Sequence, residues 1–342
     1  MWKKIALTMA GVVVALLAAE LLVRVVGAAP KVYAIRKGRF QLSHNPKIGY
    51  EPVPLVYSGR DLSFYDYLGA SNHLGYRDRD HAVAKPPGVY RIVVLGDSIA
   101  AGLHVERNED VFPPILERLL ERRGRRAEVI NLAVSGYNTQ QEVETLREKG
   151  LQYHPDLVLV AYTMSSREHV DGDILKTLLE AERRQGGVSS ARVDSWLVRS
   201  ALYRFLRFRV LRVMASRQAA PPPDPQHYLD LVSADTVAPY FGVLRELADQ
   251  HHFQVLIAVF PRFVRTFKYY PFGRQHQFVA DLAKRNGFAL VDLLVPFSDC
   301  RKAAAEPISS DNFHPSPYGH RCAAEAIANA VLALPPPPQA AP

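Results

Sequence analysis

Aliphatic-rich runs recur along the chain at intervals that leave room for a helix between them. Ile92–Leu95, Glu128–Leu132, Leu157–Tyr162, Phe253–Phe260 and Ala289–Leu293 each read as a strand. Between and after them, helices are expected from Val111 through Leu120, from the end of Gly136-Tyr137-Asn138-Thr139 to about Lys149, from Val237 to about Gln250, from Gly273 to Asn286, and from Pro317 to Leu334. Strict alternation of this kind predicts an α/β fold with a mainly parallel five-stranded sheet covered by helices.

The pattern breaks in three places. Ile5 to Ala19 is uncharged and almost wholly apolar behind the basic start Trp2-Lys3-Lys4, and it continues past Glu20 into Leu21-Leu22-Val23. That length suits an uncleaved membrane helix, in which Glu20 and Arg24, four apart, would pair near the interface. The small residues Gly27-Ala28-Ala29 keep a cleaved signal sequence as the alternative. Residues 30–87 carry turn residues beside aromatics, as in Asn72-His73-Leu74-Gly75-Tyr76-Arg77-Asp78, and read as an irregular membrane-proximal segment that wraps the main domain. The third break is an insertion over 165–234. It contains an expected helix at Asp173–Arg184, a basic amphipathic stretch from Trp196 to Met214, and the stiff Pro221–Pro225 segment. The expected domain is therefore 88–334 with that insertion, preceded by an anchor or signal at 1–29 and followed by a disordered Pro-rich tail at 335–342.

Composition adds a compartment and a surface. Lysine and arginine number 42 against 34 acidic residues, a formal charge of +8 that suits an anionic membrane, a polyanionic glycan or nucleic acid. No zinc-type Cys/His spacing and no Gly-rich phosphate loop is visible, so no metal, nucleotide or other cofactor is expected. Behind the apolar start the remainder reads as exported, in a bacterial setting to the periplasm. Its two cysteines, Cys300 and Cys322, then have the redox environment to pair, two buried thiols being the alternative.

The chemistry collects at strand ends. The first strand delivers Gly96-Asp97-Ser98, and beyond the last strand stands Ser310-Asp311-Asn312-Phe313-His314-Pro315. A serine hydroxyl needs a base, histidine suits that task at neutral pH, and a carboxylate fixes the imidazole tautomer. Ser98, His314 and Asp311 supply the three parts, and a doubly wound sheet gathers its strand ends. Backbone N–H groups at Ser98 and Gly136 are the expected oxyanion donors. Taken singly, each residue has a plainer use as a cap or turn.

These residues resemble the SGNH hydrolases, or GDSL-type esterases and lipases, over roughly Arg91 to Ala330. The first thirty residues and Asn72–Asp78 are loosely similar to the family's membrane-tethered bacterial branch. Gly96-Asp97-Ser98-Ile99 matches the Gly-Asp-Ser-Leu block, Gly136 the second block and Asp311-Asn312-Phe313-His314 the Asp-x-x-His block. The resemblance implies a three-layer α/β/α sandwich of flavodoxin-like type, with Ser98, His314 and Asp311 catalytic. It also implies an oxyanion hole of Ser98, Gly136 and a third-block asparagine. Here Ser165 stands in that asparagine's place, and loss of one such donor typically costs on the order of 100- to 1,000-fold in turnover. Arg167 and Asn138 are alternative donors. The implied activity is hydrolysis of a short-chain or acetyl ester at the periplasmic face of a bacterial inner membrane. An O-acyltransferase acting on an envelope glycan, or a non-catalytic glycan-binding protein, is the alternative. Expected partners are the acyl ester, with an envelope glycan or lipid as its carrier, and the membrane; nucleic acid is not among them.

Overall fold

The computed structural model describes residues 2–26, 40–52, 71–163, 200–203, 205–206, 234–264, 267–303, 306–309 and 311–335. These residues fall into two compact units. Most of the expected insertion lies outside the described residues, including the Trp196–Met214 stretch apart from 200–203 and 205–206, as do 27–39 and the tail residues 336–342.

The first unit holds α1 (Trp2–Val26) with the short helical segment beginning at Ala201. At about 1.5 Å per residue α1 exceeds the roughly 30 Å of a bilayer's hydrocarbon core. By length and composition it is apolar enough to cross one, a description that a signal sequence shares. Leu17, Leu22 and Val25 are largely exposed along it. Glu20 pairs with Arg24 Nε at 2.7 Å, as the four-residue spacing predicts. The same carboxylate accepts from Ser200 Oγ (2.7 Å) and from the amides of Ala201 and Leu202 (2.8 Å each), so it caps the following helical turn.

The second unit is the α/β domain. Its sheet consists of β3 (Tyr90–Gly96), β4 (Ala127–Asn131), β5 (Leu157–Thr163), β6 (Gln254–Phe260) and β7 (Ala289–Asp292), in the order β4-β3-β5-β6-β7 with every pair parallel. The order reverses between β3 and its two neighbours, which opens a crevice at the carboxyl end of β3. Alternate strand residues serve opposite faces, as period-two geometry requires. Val93, Leu95, Val158, Val160, Ile257 and Val259 pack with Val143 of α3 (Thr139–Thr145), Phe241 of α4 (Ala234–His251) and Val279 of α5 (Gly273–Arg285). On the other register Phe260 meets Phe112 of α2 (Phe112–Arg122) and Phe297 of α6 (Leu294–Ala303). α7 (Pro317–Ala333) packs beside α2 and α6.

The segment read as irregular contains an antiparallel hairpin, β1 (Phe40–Leu42) and β2 (Tyr50–Pro52). Three-residue strands carry too few positions for alternation to show in sequence. The hairpin is held by its tyrosine: Tyr50 is fully buried, donates to Ser135 O at 2.9 Å, and accepts at its carbonyl from Tyr137 Oη at 2.6 Å. It thus buttresses the turn that follows β4. The helix expected to follow Gly136-Tyr137-Asn138-Thr139 and run to about Lys149 covers Thr139 to Thr145, then gives way to a π-helical turn over Leu146–Gly150.

Cys300 on α6 and Cys322 on α7 form a disulfide across 22 positions. It closes the loop that carries Asp311 and His314. In the chain-entropy model a bridge of this span contributes about 3 kcal/mol. Replacing both cysteines with serine is therefore expected to lower the urea midpoint by the equivalent amount. An unmoved midpoint would mean that the α6–α7 packing holds the loop without help.

Candidate active site

β3 stops at Gly96 because no side chain fits there: a Cβ would lie 2.8 Å from Ala100 Cβ and 3.1 Å from Ala161 Cβ. That close approach lets the chain turn sharply. Asp97 Oδ1 accepts from Ile99 N (2.9 Å), and the turn closes through Ala101 N to Asp97 O and Leu103 N to Ser98 O, 2.9 Å each. Ser98 is left half-buried at the sheet's carboxyl edge.

The partner loop comes from the far end of the chain. His314 Nε2 lies 2.9 Å from Ser98 Oγ, and His314 Nδ1 lies 2.7 Å from Asp311 Oδ2. Asp311 Oδ1 accepts from the amides of Phe313 (2.9 Å) and His314 (2.8 Å). Ser309 Oγ donates to His314 O at 2.8 Å and accepts from Asn312 N at 3.0 Å, which ties the loop to itself. Burial raises the Asp311 carboxyl, but donors from His104, His314 and the backbone outweigh it and hold the acid well below the usual carboxylate range. The sequence therefore brings together Ser98, Asp311 and His314, which lie up to 216 positions apart.

His104 joins them without having been expected. Its Nε2 lies 3.0 Å from Asp311 Oδ2, the oxygen that His314 also uses, and its ring meets the His314 ring edge-on with centroids 5.0 Å apart. Its backbone is left-handed, φ 69°. A lone histidine in a turn carries no periodic signal that would mark it out.

Gly136 sits after β4 at φ 83°, a conformation that favours glycine. Val134 N donates to Gly96 O (3.1 Å), which pins this turn to the end of β3. Among the described residues the N–H groups of Ser98 and Gly136 have no acceptor, so both are available to a ligand oxygen. Ser165 and Arg167 lie outside the described residues. Asn138 caps α3: its Oδ1 accepts from Gln141 N at 3.0 Å.

Two supports surround the turn. Arg77, buried and delivered by the Asn72–Asp78 turn, donates Nη1 to Gly102 O (2.6 Å), Nη2 to Val105 O (2.8 Å) and Nε to Asn108 Oδ1 (2.7 Å). The guanidinium thereby fixes the loop that holds His104. On the loop side, Asp292 accepts from Leu294 N and pairs with His276 Nδ1 (2.8 Å), and His276 Nε2 reaches Tyr270 Oη (3.1 Å). Tyr270 Oη accepts from Arg262 N (3.0 Å), the neighbouring Phe263 N donates to Asn312 O (3.1 Å), and the Arg262 guanidinium lies 4.1 Å over the Phe313 ring. The loop that follows β6, with Arg262, Phe263 and Tyr270, is thus bonded directly to the Asp311–His314 loop.

Beneath the serine turn lie two buried acids. Asp97 accepts from Thr163 Oγ1 at 2.7 Å, and burial pushes its carboxyl up. Glu142 on α3 is 3% exposed, and its Oε1 has no partner among the described residues. Burial, then the nearby Asp97 charge, raise Glu142 well above its ordinary 4.5. A raised acid resists ionisation in the folded state only, so stability falls as pH rises above the unfolded value, by up to about 1.4 kcal/mol per unit. Glu142→Gln is accordingly expected to flatten the decline in unfolding free energy as pH rises above about 5, measured by urea titration. An identical slope in the variant would show that Glu142 ionises freely.

Residues 94–165 match the family model described as GDSL-like Lipase/Acylhydrolase family. No curated protein matches the chain in sequence. Among solved structures, the acetyl xylan esterase AlAXEase is similar at 15% identity, covering 70% of this chain and 99% of its own, with a TM-score of 0.44. LAE5, an alpha/beta hydrolase from the metagenome of Lake Arreo, Spain, is similar at 16% identity, covering 70% and 94%, with a TM-score of 0.43. A catalytic mutant of Axe2, an acetylxylan esterase from Geobacillus stearothermophilus, is similar at 13%, covering 71% and 94%, also with a TM-score of 0.43.

Proposed function

We propose, from the match of residues 94–165 to the GDSL-like lipase/acylhydrolase family model, that the chain is a serine esterase of short acyl groups, acetyl above all, with Ser98 as nucleophile. Ser98 Oγ attacks the ester carbonyl while His314 Nε2 takes its proton. The N–H groups of Ser98 and Gly136 receive the developing oxyanion. Collapse expels the alcohol, which leaves with the proton from His314, and an acyl-serine remains. Water then attacks that ester with His314 again as base, releasing the acid and restoring Ser98. Asp311 keeps the His314 proton on Nδ1 and stabilises the imidazolium. The observation that carries the reading is the continuous relay from Ser98 Oγ through His314 to Asp311, at 2.9 and 2.7 Å.

The test is covalent labelling of the full-length protein in detergent micelles with a fluorophosphonate, which requires an activated serine and no natural substrate. Labelling of wild type that is lost in both Ser98→Ala and His314→Ala is the expected result. An unlabelled, folded wild type would sink the reading.

A second reading shares the acyl-serine and changes the acceptor from water to a glycan hydroxyl. It is favoured by the Arg262–Phe313 stack beside His314, where Phe313 is 41% exposed and offers a face to a sugar ring. Acyl transfer that outpaces hydrolysis once a glycan is supplied would select it.

A further inference from the structure

We propose that His104, Asp311 and His314 form a binding site for a borderline divalent ion of the Zn2+ class, and that the bound ion silences Ser98. The silencing rests on the esterase reading; the binding does not. One nitrogen from each histidine and one Asp311 oxygen lie within 4.8 Å of one another. Asp311 Oδ2 already stands 2.7 Å from His314 Nδ1 and 3.0 Å from His104 Nε2. Zinc bonded at about 2.0–2.1 Å in tetrahedral geometry separates its ligand atoms by about 3.3 Å. The two contacts to the carboxylate oxygen therefore open by about half an ångström, and the two ring nitrogens, within 4.8 Å of each other, close by up to about 1.5 Å, to admit an ion in place of the hydrogen-bonded protons. Two imidazoles and a carboxylate form a donor set that suits zinc and leaves a fourth position for water. Access is open, since the three side chains are 16%, 35% and 15% exposed in chain order.

Metal on His314 Nδ1 changes which nitrogen carries the proton. In the metal-free relay Nδ1 holds the proton toward Asp311 and Nε2 is bare toward Ser98. With the ion on Nδ1, the ring proton passes through solvent to Nε2, and the imidazole stays neutral. Nε2–H then donates to Ser98 Oγ and has no lone pair for its proton. His104 supplies the ligand that distinguishes this cluster from an ordinary acid–base pair. The cluster has no local sequence spacing, because its ligands come from positions 104 and 311–314.

The experiment titrates Co2+ into chelator-treated full-length protein in micelles and follows the visible bands of four-coordinate cobalt, then displaces it with Zn2+. Wild type and Ser98→Ala are expected to bind one ion each. His104→Gln and His314→Gln, checked for an unchanged thermal transition, are expected to bind at least about 100-fold more weakly, the upper end of what loss of an outer partner alone costs. Zn2+ should also abolish fluorophosphonate labelling of wild type, reversibly with chelator. Absence of bands in wild type, equal binding by both glutamine variants, or labelling that persists at saturating Zn2+ would overturn the proposal. Cobalt bound as described by a protein that hydrolyses no ester and takes no label in the absence of metal would support the ion site and count against the esterase.

Discussion

Ser98→Ala is expected to lower turnover of a small activated acetyl ester by on the order of 10⁶-fold, to the level set by binding and oxyanion donors alone. The size follows from the relay acting as a unit. Without the hydroxyl, His314 has no proton to take; without His314, the hydroxyl is not a nucleophile. His314→Ala should therefore cost about as much, and the double variant little more than either. Asp311→Asn is the more discriminating change. Its amide presents a donor where Asp311 Oδ2 accepts from His314 Nδ1 at 2.7 Å, which favours the wrong tautomer and should cost about 10⁴-fold. The measurement is kcat/KM for the four variants against wild type, with circular dichroism to confirm folding. Retention by Ser98→Ala of more than about a tenth of wild-type turnover would move the chemistry elsewhere.

The second large effect is on stability. Arg77→Ala removes the donors that serve Gly102 O, Val105 O and Asn108 Oδ1 in the loop around His104. Each buried acceptor left without a partner costs about 1–3 kcal/mol. The acceptors share one cavity and water can enter it, so a total of about 3–5 kcal/mol is expected rather than the sum. Against the roughly 5–15 kcal/mol that a domain has in hand, that is a large fraction. Arg77→Lys keeps the charge but cannot span the same acceptors, so it should recover only part of the loss. Urea unfolding of the three proteins is the check. A midpoint for Arg77→Ala equal to that of wild type would mean that water replaces the guanidinium in full.

The five strands are legible in the sequence because each centres on a short aliphatic run, buried on both sides in β3, β5 and β6 and partly so in the edge strand β7, and a parallel sheet leaves little else for such runs to be. Ser98, Asp311 and His314 are legible for a different reason: they are polar residues placed where those runs end. The hairpin is not, because Phe40-Gln41-Leu42 and Tyr50-Glu51-Pro52 are too short to show a period. α6 is missed because it begins directly after β7, at Leu294, with Pro296 in its first turn, and reads as loop. His104 and Arg77 escape for a deeper reason. Their meaning lies entirely in partners that are distant in sequence, Asp311 for one and the 101–108 carbonyls for the other. Glu142 looks like an ordinary surface position of a helix, and only tertiary packing makes it a buried acid. The disulfide sits between these cases. The two cysteines name the only available pair, but only the packing of α6 on α7 brings the sulfurs together.

Because Ser98 and its base lie 216 positions apart, biosynthesis supplies the proposed enzyme's nucleophile well before its base. The turn that presents the serine, the Gly136 turn beside it and the β3–β5 ladder are all complete in sequence by Thr163. A nascent or truncated chain that ends before Asp311 would carry all of that and no base. It would be chemically quiet towards the esters around it, however well its amino-terminal half had formed. Arrival of Asp311 and His314, with α7 and its link to α6, is then the event that confers reactivity.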